Sequence, residues 1–429
     1  MATLYWFRRD LRVADNPALV SAGSEVYPVV LSGSLEGLSQ VRIDSLTASW
    51  RSLSSQLSDS LGLVDDLVAT AKNLGVSAVH CSRAFDPVGI ADQLEVQRGL
   101  DEAGIKFVVG PGNYVVSPGV VRKPDGTPYR VYTPFFKAWF ANGWSNPLPA
   151  PAGVTWLKTG EDLPSGPEVR VGESFAKETF ANFQRRALEG YNEDRNRADL
   201  SGTSHLSHAL AHGEIHPRTL LAELGDSEGE VTFMKELAWR EFYADVLLHN
   251  PHTVDGYYEP RFAKMRYDEA PGKLEAWQQG KTGYPMVDAG MRQMLATGWM
   301  HNRVRMIVAS FLVKDLHIEW QHGARWFEQH LTDFDVASNS HGWQWTAGCG
   351  TDASPYYRIF NPITQGYKFD PNGDYVRKFV PELRGIPGKE VHEPWLLISS
   401  LAPNYPAPIV DHAVEREESL ARLEELKTL

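Results

Sequence analysis

The sequence predicts two domains, an α/β domain with a parallel, Rossmann-like sheet followed by an all-α domain. Over roughly the first 110 residues, short β-branched or aromatic runs alternate with helix-like segments, as in βαβ units. After Ala176 the apolar residues recur at helical spacing, with few strand signals. A chain of 429 residues is long enough for two hydrophobic cores. We predict an α/β domain over residues 1–128, a linker over 129–175 and a helical domain over 176–429.

Four runs in the N-terminal part predict strands, and two longer segments predict helices. The strand runs are TLYWF, VYPVVL, SAVHCS and KFVVG, and the helical segments are DSLTASWRSLSSQL and IADQLEVQRGLDEAG. RRDLR follows the first strand where a G-x-G-x-x-G turn would bind a dinucleotide, so the sheet is expected to have another use. Proline and glycine crowd between Asn113 and Glu168, which predicts a long connection over the surface.

Six segments of the second part have helical periodicity. They are FANFQRRALEGYNEDR, LSHALAHGEI, VTFMKELAWREFYADVLLH, MVDAGMRQMLAT, NRVRMIVASFLVKDLH and ARWFEQHL. The sequence has no internal repeat of the kind that builds solenoid proteins.

Composition limits the class of protein. Hydrophobic residues make up 42% of the chain and charged residues 22%, which are globular values. The sequence lacks a run of roughly 18 apolar residues that would span a membrane, and MATLYWFRRDLR lacks the apolar core of a signal peptide. Cys81 and Cys349 are the only cysteines, which suits a reducing compartment. We predict a cytoplasmic protein that is a monomer by default.

The charge distribution leaves room for a local contact with nucleic acid. The formal charge of -12 argues against wholesale wrapping, because phosphate contacts need Lys and Arg at the interface. From Thr351 to Lys389, however, six basic residues stand against four acidic ones. A limited basic surface is therefore compatible with the composition.

The segment NRVRM places polar groups on one side of a helix that begins near His301. Four side chains share an arc of about 160°, namely Asn302, Arg303, Arg305 and Met306. A solvated basic face is one interpretation. Apolar Val304, Ile307, Val308 and Phe311 surround the arc, so the wall of a pocket at the edge of a core is favoured.

Glu236 and Trp239 in KELAWREFY are three residues apart and share a helix face, with Arg240 beside them. An exposed acid next to a core ring explains the pair equally well. If Trp345 supplies a second ring, the set forms a slot for a flat, partly polar ligand such as extruded bases.

The stretch GTSHLS places three hydroxyls, on Thr203, Ser204 and Ser207, around the start of a helix. Free N–H groups there make a natural phosphate site, although plain N-capping explains the same residues. His205 and two further histidines have the spacing of a metal face. Because no H-E-x-x-H motif accompanies them, no metal site is predicted.

Thirteen tryptophans are many for this length, and four of them cluster in the last third. Packing is the ordinary role of such a cluster, but indole also relays single electrons readily. The sequence has no G-x-S-x-G elbow, no P-loop and no spaced cysteine–histidine set, so it lacks the usual machinery of acyl transfer, P-loop chemistry and metal hydrolysis.

Three stretches resemble one family. WFRRDLRVADNPAL, GKTGYPMVDAGMRQMLATGWMHNRVRMIVASFLVKDL and NSHGWQWTAGCGTDASPYYRIFNP are similar to motifs of the cryptochrome/photolyase family, and specifically of class I cyclobutane pyrimidine dimer photolyases. The resemblance implies an N-terminal domain for a light-harvesting antenna and a helical domain that binds FAD in a U-shaped conformation. It also implies UV-damaged DNA as the partner, repaired by one electron from excited reduced FAD.

The resemblance also assigns cofactor residues. They are Tyr191, Thr203, Ser204, Leu206, Ser207, Arg240, Trp299, Asn302, Arg305, Asp333, Asp335 and Asn339. Arg305 and Asp333 would pair as charges beside the flavin ring. Asn339 would face its reactive nitrogen, where a neutral amide favours the anionic reduced flavin because it adds no second negative charge.

Further roles carried over by the resemblance concern DNA and electron transfer. Trp239 and Trp345 would sandwich the flipped dimer, and Glu236 would hydrogen-bond its carbonyls. The remaining walls would be Asn302 and Met306, and the arginines that grip the DNA backbone would be Arg195, Arg303 and Arg358. The inner and middle members of the photoreduction chain would be Trp343 and Trp320, with Phe327 beside them.

The outer tryptophan of that chain has no match, because its position is Tyr267. We therefore expect photoreduction that is slow or that ends in a tyrosyl radical.

Alternatives remain open. One alternative is a cryptochrome-type receptor without repair activity, although Trp345, Glu236 and Asn339 favour a repair enzyme. Repair of the 6-4 photoproduct is less consistent with His301 followed by Asn302, and an ordinary α/β enzyme with a helical cap is a third possibility. The antenna site is expected near Arg8, Arg9 and Asp10, but the choice between a folate, a deazaflavin, a second flavin and an empty cleft is open.

Overall fold

The computed structural model describes residues 1–352, 357–397 and 402–428. The chain forms two compact units. The first comprises Met1–Glu189 and Ser204–Pro251, and the second comprises Gly190–Thr203 and His252–Leu429. The predicted fold class is confirmed, since a parallel α/β domain is followed by a helical part.

A parallel sheet forms the centre of the first unit. Its strands are β1 (Thr3–Trp6), β2 (Glu25–Leu31), β3 (Gly62–Val64), β4 (Ala78–Ser82), β5 (Lys106–Gly110) and β6 (Thr155–Trp156). They lie in the order β3-β2-β1-β4-β5, and β6 pairs with β2. The four predicted strands are confirmed as β1, β2, β4 and β5. The other two strands have three and two residues, too few for a sequence pattern to reveal.

Helices make up most of the remaining structure. In chain order they are α1 (Pro17–Val20), α2 (Gln40–Gln56), α3 (Leu67–Leu74), α4 (Pro87–Glu102), α5 (Tyr132–Asn142), α6 (Glu173–Arg186), α7 (Tyr191–Asp194), α8 (Ser207–His212), α9 (Pro217–Leu221), α10 (Glu228–His249), α11 (Pro271–Gln278), α12 (Pro285–Thr297), α13 (Asn302–Lys314), α14 (Trp320–His330), α15 (Val336–Ala347), α16 (Pro362–Phe369), α17 (Asp374–Phe379) and α18 (His412–Thr428). In the part of the chain that the structure describes, no helix combines the length and the apolar character needed to cross a bilayer.

Two apolar clusters cover the two faces of the sheet, because side chains alternate along a strand. Tyr5 and Phe7 belong to one cluster, which includes Trp50 of α2. Leu4 and Trp6 belong to the other, which includes Leu100 of α4. The central strand β1 is consequently buried along its whole length, as expected for a parallel sheet.

The core of the second unit surrounds α13. Val304, Ile307, Val308 and Phe311 are at most 1% exposed, whereas the four polar or sulfur-containing residues of the predicted arc are exposed or half-buried. His301 caps this helix by accepting a hydrogen bond from the backbone N–H of Arg303, at 3.1 Å. The helix and its polar face are therefore as the sequence predicts.

Two sequence predictions need correction. The segment from Asn113 to Glu168 is more than a surface connection, because it contains α5, in which Tyr132, Phe135 and Trp139 are buried. Its surrounding prolines and glycines hid this aromatic helix. The segment FANFQRRALEGYNEDR is two helices rather than one, since α6 ends at Arg186 and α7 begins after Gly190.

Candidate functional site

A flat aromatic surface with a carboxylate on the same helix face lies on α10 in the first unit. The helix begins with a capping box between Ser227 and Glu230. Glu236 and Trp239 follow, both half-buried. The Trp239 ring stacks on Tyr132 of α5, with centroids 3.7 Å apart and planes within 8°. One face of Trp239 is therefore covered by a second ring. The aromatic run YTPFFKAWF could have pointed to Tyr132.

Tyr132 is itself fixed, because its hydroxyl donates a 2.6 Å hydrogen bond to the backbone carbonyl of Lys235 on α10. Glu241 holds the same helix six residues further on. Its carboxylate accepts hydrogen bonds from the backbone N–H groups of Val115 and Val116 and, at 2.5 Å, from Trp139 Nε1. Burial raises the pKa of Glu241 to about 7 in spite of these donors. The part of α10 that carries Trp239 is thus fixed by hydrogen bonds before and after this residue.

Arg240, a predicted cofactor residue, makes three contacts within the first unit. Its guanidinium donates to the carbonyls of Asn113 and Leu210, at 2.8 and 3.2 Å, and lies 4.6 Å from the centre of the Tyr114 ring. These contacts join three segments of the chain. A cofactor contact for Arg240 stays a prediction.

The stretch from Thr203 to Ser207 leads into α8, which has only six residues. Thr203 and Ser204 are half-buried, Ser207 is exposed and Leu206 is buried at the cap position. Ser204 Oγ accepts a weak 3.4 Å hydrogen bond from the Leu206 N–H. Leu206, the residue at the cap position, makes no side-chain hydrogen bond to the helix. The phosphate role stays a prediction.

The histidines that follow have protein partners. His208 Nε2 lies 3.5 Å from Glu214 Oε1 and 3.3 Å from Ser49 Oγ, and its ring is 4.5 Å from that of His212. Within residues 1–352, 357–397 and 402–428, no group of three or more His, Cys, Asp and Glu side chains is arranged to hold a metal ion.

The polar face of α13 in the second unit carries two anchored arginines. Arg303 donates to Asn196 Oδ1 through Nε and Nη2, at 3.1 and 2.6 Å, and lies 4.6 Å from the Phe369 ring centre. Arg305 donates to the Met300 carbonyl at 2.8 Å and pairs with Asp333 at 2.7 Å. The predicted pairing of Arg305 with Asp333 is thus present.

The ion pair with Arg305 leaves one carboxylate oxygen of Asp333 without a hydrogen-bond donor in the described part of the chain. Its carboxylate is 1% exposed, and Oδ1 has no hydrogen-bond partner among the residues that the structure describes. A buried carboxylate oxygen in this state costs free energy unless a ligand donor satisfies it. The pair is therefore suited to receive an N–H group from a bound molecule.

Asp335, Asn339 and Trp299, three further predicted cofactor residues, each have a contact within the second unit. Asp335 caps α15 by accepting from the Ser338 N–H at 2.8 Å. Asn339, one turn later, donates from Nδ2 to the Ala324 carbonyl of α14 at 3.1 Å. Trp299 is half-buried and meets the His301 ring edge-on at 6.3 Å. The Asn339 carboxamide thus has a fixed orientation.

Trp343 lies in a row of buried aromatic rings. Phe327 is 4.9 Å from it and Trp277 is 6.1 Å from it, both at steep angles. Its ring also packs directly over Gly323 of α14, where any Cβ would collide with it. Trp320 begins the same helix and is fully buried. The two predicted electron-transfer tryptophans therefore both belong to the interior of the second unit.

Trp320 also contacts a tyrosine that the sequence did not single out. The Tyr257 ring lies 6.2 Å from Trp320, nearly perpendicular to it, and its hydroxyl donates to Glu319 Oε1 at 2.9 Å. Burial, together with the nearby Tyr257, raises the pKa of Tyr267, the position of the missing outer tryptophan. Because Tyr257 is ten residues away from Tyr267, spacing gave no signal for it.

The remaining predicted DNA residues lie at the surface of the second unit or near it. Trp345 is half-buried, and its Nε1 donates to the Asp352 carbonyl at 3.1 Å. Arg358 is exposed, and its backbone carbonyl accepts a hydrogen bond from the buried Lys314. Arg195 is half-buried at the end of α7, whose first residue, Tyr191, is buried. Residues 353–356 of the same motif lie outside the described residues.

Asp10 near the predicted antenna site belongs to an internal network. It is fully buried and accepts hydrogen bonds from the hydroxyls of Tyr5 and Ser82, at 2.5 and 2.6 Å, and from the Arg8 N–H at 2.9 Å. Arg8 lies 4.4 Å from the Trp6 ring centre. Asp10 thus fixes the end of β1, and an antenna contact at this edge stays a prediction.

Two family models match the chain. The model described as DNA photolyase matches residues 3–152, and the one described as the FAD binding domain of DNA photolyase matches residues 233–425. Curated relatives include the deoxyribodipyrimidine photo-lyases of Agrobacterium fabrum and Escherichia coli. The first is 37% identical over 97% of this chain and 96% of its own length, and the second is 36% identical over 98% of both.

Solved structures with a similar fold include two photolyases. A bacterial class III photolyase from Agrobacterium tumefaciens has a TM-score of 0.92 at 37% identity and covers all of this chain, with 98% of its own chain matched. An archaeal photolyase from Sulfolobus tokodaii, solved with two FAD molecules, has a TM-score of 0.85 at 26% identity and covers 99% of this chain, with all of its own chain matched.

Proposed function

Because the chain belongs to the photolyase/cryptochrome family and contains its FAD-binding domain, we propose that it splits cyclobutane pyrimidine dimers in UV-damaged DNA under blue light. One observation carries this proposal. Trp239 is held flat by the 3.7 Å stack on Tyr132, remains half-exposed, and has Glu236 on the same helix face. A rigid apolar ring beside a carboxylate suits a flat ligand with polar edges, such as a pair of linked pyrimidines.

The residues of the second unit fit the flavin. The Arg305–Asp333 pair offers a guanidinium donor and a carboxylate oxygen that lacks a donor among the described residues. These groups match a ring that has carbonyl acceptors and N–H donors. FAD supplies, when reduced and photoexcited, the single electron that dimer splitting needs. Asn339 presents a neutral amide held by Ala324, so it adds no negative charge beside an anionic ring. We assign FAD to the twelve cofactor residues named by the resemblance, from Tyr191 to Asn339.

The substrate residues have separate tasks. Trp239 and Trp345 would stack on the extruded bases, and Glu236 would hydrogen-bond their carbonyl edges. Extrusion costs a few kcal/mol, and least where damage has already weakened the pairing, which itself favours damaged sites. Three arginines would hold the backbone, namely Arg195, Arg303 and Arg358. So few phosphate contacts are compatible with a net charge of -12.

Two finer points belong to the proposal. Assignment to class I rests on the motifs, and a class III enzyme is among the similar solved structures. An antenna chromophore, a folate or a deazaflavin, would lie at the sheet edge near Arg8. The fluorescence of cofactor released by heat identifies it.

The test is repair of a UV-damaged oligonucleotide by flavin-loaded, chemically reduced protein under blue light, with dimers counted by chromatography. Glu236→Gln keeps the shape of the side chain and removes its charge, so we expect repair to fall by about tenfold, as for loss of a charge-assisted hydrogen bond. Lys235→Gln on the same helix is the matched control and should repair normally, because Lys235 is exposed.

The outcomes separate the alternatives. Dimers that survive illumination although FAD is bound and light-reducible would favour a cryptochrome-type receptor and contradict repair. Protein that retains no flavin under native conditions would contradict the cofactor site as well.

A further inference from the structure

Trp320 contacts a tyrosine whose hydroxyl donates a hydrogen bond to a carboxylate. Tyr257 is 9% exposed, contacts the Trp320 ring at 6.2 Å and donates its hydroxyl proton toward Glu319 at 2.9 Å. Glu319 is the residue before Trp320, and it is half-buried at the start of α14. The ring, the phenol and the carboxylate are therefore placed in series within one unit.

Trp343 and Trp320 have no comparable base within the described ranges. The indole Nε1 atoms of Trp343 and Trp320 are buried and have no hydrogen-bond partner among the described residues. Indole nitrogen is a donor only, so an oxidised indole loses its proton readily only where an acceptor waits. An oxidised indole at either position therefore stays protonated, and a single electron can reduce it again.

We propose that Tyr257 is the terminal electron donor to Trp320 and that Glu319 takes the proton which Tyr257 releases. Bound FAD, oxidised and photoexcited, would supply the oxidant, and Trp343 and Trp320 would relay the electron vacancy to Tyr257. This inference rests on the FAD-binding domain and on the proposed electron-transfer role of the two tryptophans, and it is independent of dimer repair.

The terminal step balances in electrons, protons and charge. The Trp320 radical cation gains one electron from Tyr257 and becomes neutral indole. The O–H bond of Tyr257 breaks, and its proton moves along the 2.9 Å hydrogen bond to the Glu319 carboxylate. The products are a neutral tyrosyl radical and a neutral carboxylic acid, so the largely buried site ends with no charged group where a positive and a negative charge stood before. Removal of a separated charge pair from a buried site stabilises the products.

Tyr267 is the less suitable donor, although it occupies the position of the outer tryptophan. The neighbouring groups that affect its pKa are Tyr257, Cys349 and Tyr357, none of which is a carboxylate. Burial, with the added effect of Tyr257, raises the pKa of Tyr267 above its ordinary value. Among the residues that the structure describes, Tyr267 therefore lacks the hydrogen-bonded carboxylate that Glu319 provides for Tyr257.

The experiment is flash photolysis of protein loaded with oxidised FAD, followed by transient absorption and by electron paramagnetic resonance with ring-deuterated tyrosine. The natural protein should form a neutral tyrosyl radical, and Tyr257→Phe should lose it and show fast return of the electron to Trp320. Glu319→Gln keeps a hydrogen-bond acceptor but removes the base, so the radical should form about a hundredfold more slowly.

Tyr267→Phe and Tyr258→Phe are the matched controls, and both should still form the radical. Flavin absorption and near-ultraviolet circular dichroism establish that each variant is folded and loaded. A tyrosyl signal that persists in Tyr257→Phe and disappears in Tyr267→Phe would overturn the assignment, and so would a Glu319→Gln variant with the natural rate. Repair from chemically reduced protein should be normal in all four variants, so loss of repair with intact radical formation would count against the proposed function alone.

Discussion

Replacing Gly323 by Ala should displace the Trp343 ring. A Cβ added at Gly323 would lie 2.1 Å from Cη2 of Trp343 and 2.6 Å from two further ring atoms. Ordinary contact begins at 3.4 Å, so the ring or the helix has to move by about 1.3 Å. No flexible side-chain end is available to absorb this shift, because the colliding atoms belong to a rigid indole.

Two opposing contributions set the change in the free energy of unfolding. Overpacking of a rigid core ring costs about 1–3 kcal/mol. Alanine in place of glycine inside a helix returns up to about 1 kcal/mol. The helix term can be measured separately at Gly342 of α15, where an added Cβ would meet no atom within 4 Å. The difference between the two variants therefore isolates the overpacking cost, at about 1–3 kcal/mol.

The assay is urea unfolding followed by tryptophan fluorescence, with near-ultraviolet circular dichroism as the reporter of the Trp343 environment. Gly342→Ala should raise the unfolding midpoint and leave the aromatic spectrum unchanged. Gly323→Ala should have the lower midpoint of the two and an altered spectrum. Equal midpoints with identical spectra would refute the packing of Trp343 over Gly323.

Three further outcomes test other parts of the structure. Tyr132→Leu removes the ring under Trp239, so binding of UV-damaged oligonucleotide, measured by fluorescence anisotropy, should weaken by about fivefold, the worth of one aromatic pair. Glu241→Gln places an N–H₂ group against N–H donors and should cost about 2 kcal/mol in chemical unfolding. Burial lowers the pKa of His341 to about 4, so between pH 6.5 and 4 the unfolded chain binds a proton that the folded chain does not. Stability should fall by about 3 kcal/mol as the pH drops through that window, and His341→Gln should flatten this part of the profile.

The amphipathic part of the fold could be predicted from the sequence, and its packing partners could not. Periodicity gave α13 and its polar face, since burial of one helix stripe is a local property of the residue order. The stack of Tyr132 on Trp239 joins residues more than a hundred positions apart, and no local pattern encodes such a contact. The position of Tyr267 came from a resemblance between sequences, whereas the ring that contacts Trp320 is Tyr257. Element type was therefore predictable where periodicity was clear, as in α13, but not for α5, and the identity of neighbouring rings required the coordinates.

The four tryptophans proposed to stack on bases or to relay electrons differ in environment, and the difference follows their proposed tasks. Trp239 and Trp345 are half-buried, so each keeps part of its ring accessible while a fixed contact orients it. Trp320 and Trp343 are buried, and their N–H groups have no partner in the described part of the chain. A ring that stacks on a ligand needs an accessible face, and a hydrogen bond from its N–H does not interfere with stacking. A ring that passes an electron vacancy onward must keep its proton, and burial without an acceptor achieves this. The lack of hydrogen bonds at Trp320 and Trp343, a cost to stability on its own, is therefore the property that electron transfer through them requires.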